Sequence, residues 1–279
     1  MPSLAGVPET MLWSLYNRAS EASRPDAILS DPESLRIHAA LDYDFAAHFG
    51  APLGSLAVRA ATMDSALRQW LLRHPDGLVV SLGEGLETQS RRVDNGRMRW
   101  LSVDLEEAIR LREQFLPPTK RFRHLAANAL APHWMDAVDP SGPVYIVAQG
   151  LLMYLAPEAV RGLLCAIAER FAAAELLFDT VPRWFSQATR RGVYQTPRYR
   201  LPPMPWGINR DEVEATLRAW HPRMADVKLL EYRMPRGLPL MMANITNALA
   251  VARHQVPSLV HVVLGEALPG SRAAQSRGA

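Results

Sequence analysis

From residue 74 onward the chain alternates short apolar runs with helix-like stretches, and this alternation constrains the fold more than any other feature. The runs lie at 77–82, 98–103, 122–126, 144–149, 175–180, 227–233 and 259–264. The clearest are rich in valine and leucine, and the first follows the turn signal HPDG, as suits buried strands of a parallel sheet. Helix-like sequence fills 105–114, 157–171, 210–220 and 238–254. Glu106 and Glu107 fall in the first turn of the first, where the helix dipole favours acids, and Pro157 opens the second. The expected architecture is α/β, a doubly wound, mostly parallel, seven-stranded sheet. Ahead of it, 9–22, 33–48 and 55–73 carry helical spacing, so 1–73 is expected as a helical cap on a core at 74–268. Within that core, 181–206 is rich in proline and reads as irregular, the bulk of a substrate loop at 181–209. The small, polar tail 269–279 is expected to fray.

Composition narrows the class. With 48% hydrophobic and 21% charged residues, the chain is neither a disordered segment nor a coiled coil. The one cysteine, Cys165, excludes an internal disulfide and a Cys-rich metal site, and no metal is expected. It stands among Leu163, Leu164 and Ile167, as a packing residue would. No run of eighteen apolar residues exists, so no membrane span is expected. The first fifteen residues lack the basic start and apolar core of a secretory signal, which predicts a cytoplasmic protein. Net charge is only +3, and every basic residue but Lys120 and Lys228 is arginine. No long basic stretch carries interleaved aromatics, so no nucleic-acid partner is expected. Nothing in the sequence decides between a monomer and a homodimer.

The chemistry concentrates in SLGEGLET at 81–88, where a strand runs into Gly83-Glu84-Gly85 and then toward a helix. Glycines there permit a tight turn and close approach of backbone to a ligand. Ligands of doubly wound sheets sit at the carboxyl ends of the strands. Asp104 ends the next strand, where an acid accepts hydrogen bonds from both hydroxyls of a ribose. An isolated GxG is equally a plain strand-to-helix turn; strand, glycines and strand-terminal acid together point to a nucleoside. The third glycine of the dinucleotide fingerprint is replaced by Thr88, and no GxxxxGK[ST] exists. A nucleoside without phosphates, such as S-adenosylmethionine, suits this pattern better.

Longer stretches carry a resemblance: TMLWSLYNRASEASRPDAILSDP (10–32), LDYDF (41–45), RAATMD (59–64), HPDGLVVSLGEGLET (74–88), RRVDNGRMRWLSVDLEEAIRLR (91–112), HWMDAV (133–138), GPVYIVAQGLLMYL (142–155) and ELLFDTVP (175–182). Over residues 10 to 235 the chain resembles the leucine carboxyl methyltransferase-like group of S-adenosylmethionine-dependent methyltransferases, in particular its bacterial branch of polyketide-type O-methyltransferases. The resemblance implies a class I, Rossmann-like methyltransferase fold and S-adenosylmethionine as cofactor. By position it implies that Arg59 holds the carboxylate of the cofactor's methionine part, with Gly83, Glu84 and Gly85 in the loop beneath it. Asp104 becomes the ribose acid, with Leu105 beside it. Asn128 and Ala129 fall near the adenine, and Gln149 beside the methyl group. Tyr154 lies just beyond, toward the acceptor. The chain departs from the family's usual GAGLDTR at Glu84, Glu87 and Gln89, and from AEGLLMYL at Gln149. Glu84 puts a carboxylate in the glycine loop and Gln149 removes one, changes that either retune the cofactor pocket or weaken it.

The expected reaction is methyl transfer to a carboxyl or hydroxyl oxygen of a small secondary metabolite, a polyketide-like or aromatic acid. Alternatives are a protein C-terminal carboxyl methyltransferase and a non-catalytic module that keeps the fold for binding. Tyr154 and His133 are the candidate catalytic residues. For the acceptor, Arg183, Trp184, Tyr194, Tyr199 and Trp206 in the substrate loop combine cations and aromatics, as a flat anion requires. Tyr16 and Arg18 of the cap could close that pocket from the other side.

Overall fold

A computed structural model describes residue 6 and residues 9–231 and 253–265. Four helices precede the first strand: α1 (Thr10–Ala22), α2 (Pro32–Ala40), α3 (Phe45–Phe49) and α4 (Gly54–Arg73). Then follow β1 (Leu78–Leu82), α5 (Gln89–Arg92), β2 (Arg99–Asp104), α6 (Glu106–Phe115), β3 (Phe122–Ala126), α7 (His133–Asp136), β4 (Val144–Ala148), α8 (Pro157–Arg170) and β5 (Ala174–Thr180). The chain continues through α9 (Arg183–Arg191), β6 (Tyr194–Thr196), β7 (Tyr199–Arg200), α10 (Val213–Trp220), β8 (Asp226–Leu230) and β9 (Ser258–Val263). The seven strands expected from the apolar runs form one sheet in the order β3-β2-β1-β4-β5-β9-β8. β1 to β5 pair in parallel, while β9 runs antiparallel to both its neighbours. This is the doubly wound, mostly parallel sheet that the alternation of runs predicts.

Strand residues alternate between two buried faces. Val80, Leu101, Ile146, Leu176 and Val260 pack with α8 and α10 through Leu163, Ile167, Val213 and Leu217. Val79, Trp100, Tyr145, Leu177 and Leu259 pack instead against Met63, Leu67, Trp70 and Leu71 of α4. The helix at 55–73, expected in the cap, is thus one covering layer of the sheet. A third cluster joins α1, α2 and α3 to Leu86, Leu111, Tyr199 and Leu201, so the helices ahead of β1 seat on the glycine segment and on the chain after β5.

Two expectations change. The stretch 181–206 is not irregular, because it contains α9 and a hairpin of β6 and β7. The stretch 33–48 is not one helix. Asp31 caps α2 and Asp44 caps α3, each accepting from a backbone N–H, and the chain turns between them at residues 41–44. The helix expected at 238–254 and the tail at 269–279 lie outside the described residues, apart from a 3₁₀ turn at Arg253–Gln255. No helix among the described residues is long and apolar enough to cross a membrane.

Candidate active site

The carboxyl ends of β1, β2 and β4 open into a cavity of about 330 Å³. Its walls come from the first turns of α1, from Arg59 on α4, the glycine turn, the β2–α6 junction, residues 127–130 and the chain after β4. The glycine turn is possible only with glycine. Gly83 and Gly85 sit at φ +62° and +52°, and a Cβ would come within 2.8 Å of Leu151 Cδ1 and of Met11 Cβ respectively.

The Asp104 carboxylate ties this turn to β2, with Oδ2 accepting from the Gly85 N–H and Oδ1 from its neighbour Leu105, both at 2.7 Å. Each oxygen keeps a further lone pair. Burial raises the Asp104 pKa, against the pull of those two N–H groups. Arg59 reaches across from α4, donating Nη1 to Asp179 Oδ2 at 2.7 Å, while Asp179 Oδ1 accepts from the Gly150 N–H at 2.6 Å. Its Nε is buried without a partner. Tyr154 sits in a single 3₁₀ turn after β4, hydrogen-bonded to Thr10. Burial and Asp179 push its phenol up to about 12, although Arg59 pulls the other way.

The two glutamates that depart from the usual motif do not project free charge into the cavity. Glu84 is a brace, its side chain wholly buried, accepting from Arg112 Nη2 at 2.9 Å and Trp100 Nε1 at 3.1 Å. Burial raises its pKa, opposed by Arg112. Arg112 itself holds the Gly85 and Glu87 carbonyls at 2.9 and 2.6 Å, so the pair supports the turn from beneath. Glu87 meets Arg18 at 2.8 Å and Arg92 at 2.6 Å. Burial alone would raise Glu87, but the two guanidinium groups win and hold it at about 2.

All nine residues expected around the cofactor, Arg59, Gly83, Glu84, Gly85, Asp104, Leu105, Asn128, Ala129 and Gln149, line this one cavity. Tyr154 lines it too. Most of the expected acceptor residues stand elsewhere. Tyr16 donates to the Gly50 carbonyl at 3.2 Å and stacks on Phe45. Arg18 touches the cavity, but it is 2% exposed and spends its nitrogens on Asp31, Glu87 and the Leu86 carbonyl, so it is a strut and not a free cation. Arg183 and Trp184 are on the surface, paired with Glu212 and with the Gln255 carbonyl. Tyr194 is exposed on the hairpin, whereas Tyr199 is buried edge-on against Phe49. Trp206 packs between Phe178 and Trp220 in the core. His133 lies exposed at the start of α7, outside the cavity wall.

Sequence reasoning missed Thr10, Met11 and Ser14 of the wall, the Arg112 brace and Asp179. Asp179 ends β5 as Asp104 ends β2, so the carboxyl-end rule could have found it. Arg59 and Gln149, the spare lone pairs of Asp104 and an apolar wall of Leu105, Ala108, Ala127, Ala129 and Leu130 line one cavity. An amino acid joined to a ribose and a flat purine needs that combination, so the donor set fits S-adenosylmethionine.

Comparison with known proteins agrees. The leucine carboxyl methyltransferase family model matches residues 12–168. The tetracenomycin polyketide synthesis O-methyltransferase TcmP of Streptomyces glaucescens is 29% identical over 184 residues, 65% of this chain and 68% of that one. The S-adenosyl-L-methionine-dependent methyltransferase dpfgK of Gibberella zeae is 27% identical over 202 residues, 63% of this chain and 67% of that one. Among solved structures, the magnesium protoporphyrin IX methyltransferase of Synechocystis with bound SAH superposes with a TM-score of 0.45 at 11% identity, covering 84% of this chain and 93% of that one.

Proposed function

The chain belongs to the leucine carboxyl methyltransferase family and uses S-adenosylmethionine, and on that premise we propose that it forms the methyl ester of a small polyketide-like or aromatic carboxylic acid. In this reading Arg59 holds the cofactor's carboxylate, Asp104 its ribose hydroxyls, and Leu105, Asn128 and Ala129 border its adenine. The O-methyltransferase named for polyketide synthesis supports the acceptor class.

One observation carries the choice of a carboxylate over a hydroxyl: the cavity groups near Tyr154 are already committed. Arg59 is paired with Asp179, and Glu87 with Arg18 and Arg92. Tyr154 stays protonated at neutral pH. Asp104 and Glu107 belong to the end of β2 and to α6, and β2 is two strands from β4 in the sheet. A phenol, with a pKa near ~10, needs a base at the reacting oxygen, whereas a carboxylic acid arrives ionised. S-adenosylmethionine supplies a methyl carbon activated by its sulfonium. The protein aligns the acceptor oxygen with that carbon and excludes water, and such positioning supplies about 7–11 kcal/mol of barrier lowering. Glu84 had suggested a degenerate, non-catalytic site, but its charge is neutralised by Arg112 beneath the turn.

The test is transfer of labelled methyl from S-adenosylmethionine to a panel of aromatic and polyketide-like acids, each beside its carboxamide and a matching phenol. Alkali-labile methyl esters formed from the acids alone are expected. Label on the phenols and not on the acids would overturn the carboxylate assignment, and no label on any compound would favour a binding module.

A further inference from the structure

Asp179, next to last in β5, is buried and is not itself part of the cavity wall, yet both its oxygens are spent on residues that are. Oδ2 accepts from Arg59 Nη1 at 2.7 Å and Oδ1 from the Gly150 N–H at 2.6 Å. The two contacts tie together α4, the turn after β4 and β5. Gly150 sits at φ +67°, and a Cβ there would stand 3.4 Å from Arg59 Nη1 and 3.5 Å from Nη2, so the guanidinium lies against the turn.

The consequence falls on the remaining nitrogens of Arg59. Nε is buried and Nη1 is held by Asp179, so Nη2 is the one left to a ligand in the cavity that Arg59 lines. A guanidinium is a rigid planar fork, so fixing one nitrogen and resting the plane on a backbone turn fixes where the other points. Without that anchor the long side chain keeps rotamer freedom that a ligand must remove on binding. Charge works the other way, because a carboxylate 2.7 Å from Arg59 cancels part of the attraction that draws an anion to it. Geometry and charge therefore give Asp179 opposite effects on the binding of a carboxylate, and the sign is measurable.

We propose that Asp179 is a positioning residue for methyl transfer: it aims Arg59 Nη2 at the carboxylate of bound S-adenosylmethionine and so sets the methionine part, and with it the methyl carbon, in place. This rests on the reading above in which Arg59 holds that carboxylate. The experiment is calorimetric titration of S-adenosylmethionine, and of its decarboxylated form that lacks only this carboxylate, into the wild type and Asp179→Asn. In the variant an oxygen still faces Gly150, while an NH₂ replaces the oxygen that faced Arg59, donor against donor. Binding of S-adenosylmethionine should weaken about tenfold, and that of the decarboxylated form should keep its wild-type value. Glu175→Gln, at the other end of β5 beside Arg73 and His261, is the control and should leave both affinities unchanged even where its Tm falls. Wild-type or tighter binding of S-adenosylmethionine by Asp179→Asn would overturn the proposal, since Asp179 would then act by charge alone. Equal losses for the two ligands would overturn it as well, by making the pair a structural tie between α4 and β5. If Asp179→Asn does not fold, Asp179→Glu, which keeps the charge and displaces the guanidinium, is held to the same outcomes. A folded wild type that binds neither ligand would instead overturn the cofactor assignment. One that binds both alike would overturn the role of Arg59, and the positioning role with it.

Discussion

Residues 81–92 and residues 181–209 both offer arginine at the carboxyl ends of the sheet, and the structure treats them oppositely. In the first segment the side chains of Glu84, Glu87 and Arg92 are buried in ion pairs, Glu84 with Arg112 and Glu87 with Arg18 and Arg92, and Arg91 alone is half-buried over the Phe122 ring. In the second, five arginines occur without one acidic residue, and all five are exposed. Arginine and aromatic content suggested an acceptor pocket there. The side chains instead split into surface cations and core aromatics such as Tyr199 and Trp206. A charged side chain points to a site when several partners restrict where its free atoms can go, and residue type alone carries little of that information.

The contrast can be broken most directly at Arg112. Replacing it with methionine leaves Glu84 buried without its counter-charge and frees the Gly85 and Glu87 carbonyls. A loss of about 3–5 kcal/mol in unfolding free energy by denaturant titration is expected, while Arg190→Ala in the exposed segment should leave the curve almost unmoved. Equal effects would sink the distinction. Next in size is Asp104→Ala, which should weaken S-adenosylmethionine binding at least ~100-fold, about 2.7 kcal/mol, with the circular dichroism spectrum preserved. A pH titration sharpens the picture further. Glu87 is held at about 2 against an ordinary value of 4.5, so its contribution to stability is whole above the ordinary value. That contribution is lost as pH falls from about 4.5 toward 2. The Tm should drop across that window by a visibly smaller amount in Glu87→Gln. The smallest effects belong to Arg183→Ala and Trp184→Ala. Each should change kcat/KM for an accepted acid by less than about twofold, and a tenfold change in either would return this segment to the acceptor site.

Much of the sheet was readable in advance because its strands are short apolar runs with abrupt ends. The run at 122–126 coincides with β3, the others shift by one residue at an end, and only β8 departs further, ending at Leu230 where the run reaches 233, past the described residues. Gly83, Gly85 and Asp104 were legible because backbone geometry and strand polarity place them. α9 was not, because its buried positions are Ser186 and Thr189 and not apolar residues. Those hydroxyls satisfy the chain around them, Ser186 donating to the Met204 carbonyl at 2.7 Å and Thr189 accepting from the Met204 N–H at 3.1 Å. Hydrophobic period detects no such helix. The struts were hidden for another reason. Nothing near Arg18 in sequence announces that Glu87 will stand against it, since that contact exists only after α1 docks on the glycine turn.

The position of β9 bears on how the chain acquires its structure. This strand lies between β5 and β8, antiparallel to both, so β8 joins the sheet only through it. The strands whose carboxyl ends border the cavity, β1, β2 and β4, can pair with their parallel neighbours before β9 exists. On a ribosome the nucleoside-facing half can therefore assemble early, with β5 exposing a bare edge until the final strand slots in. Until that insertion, the nascent enzyme carries an open template for pairing with other chains.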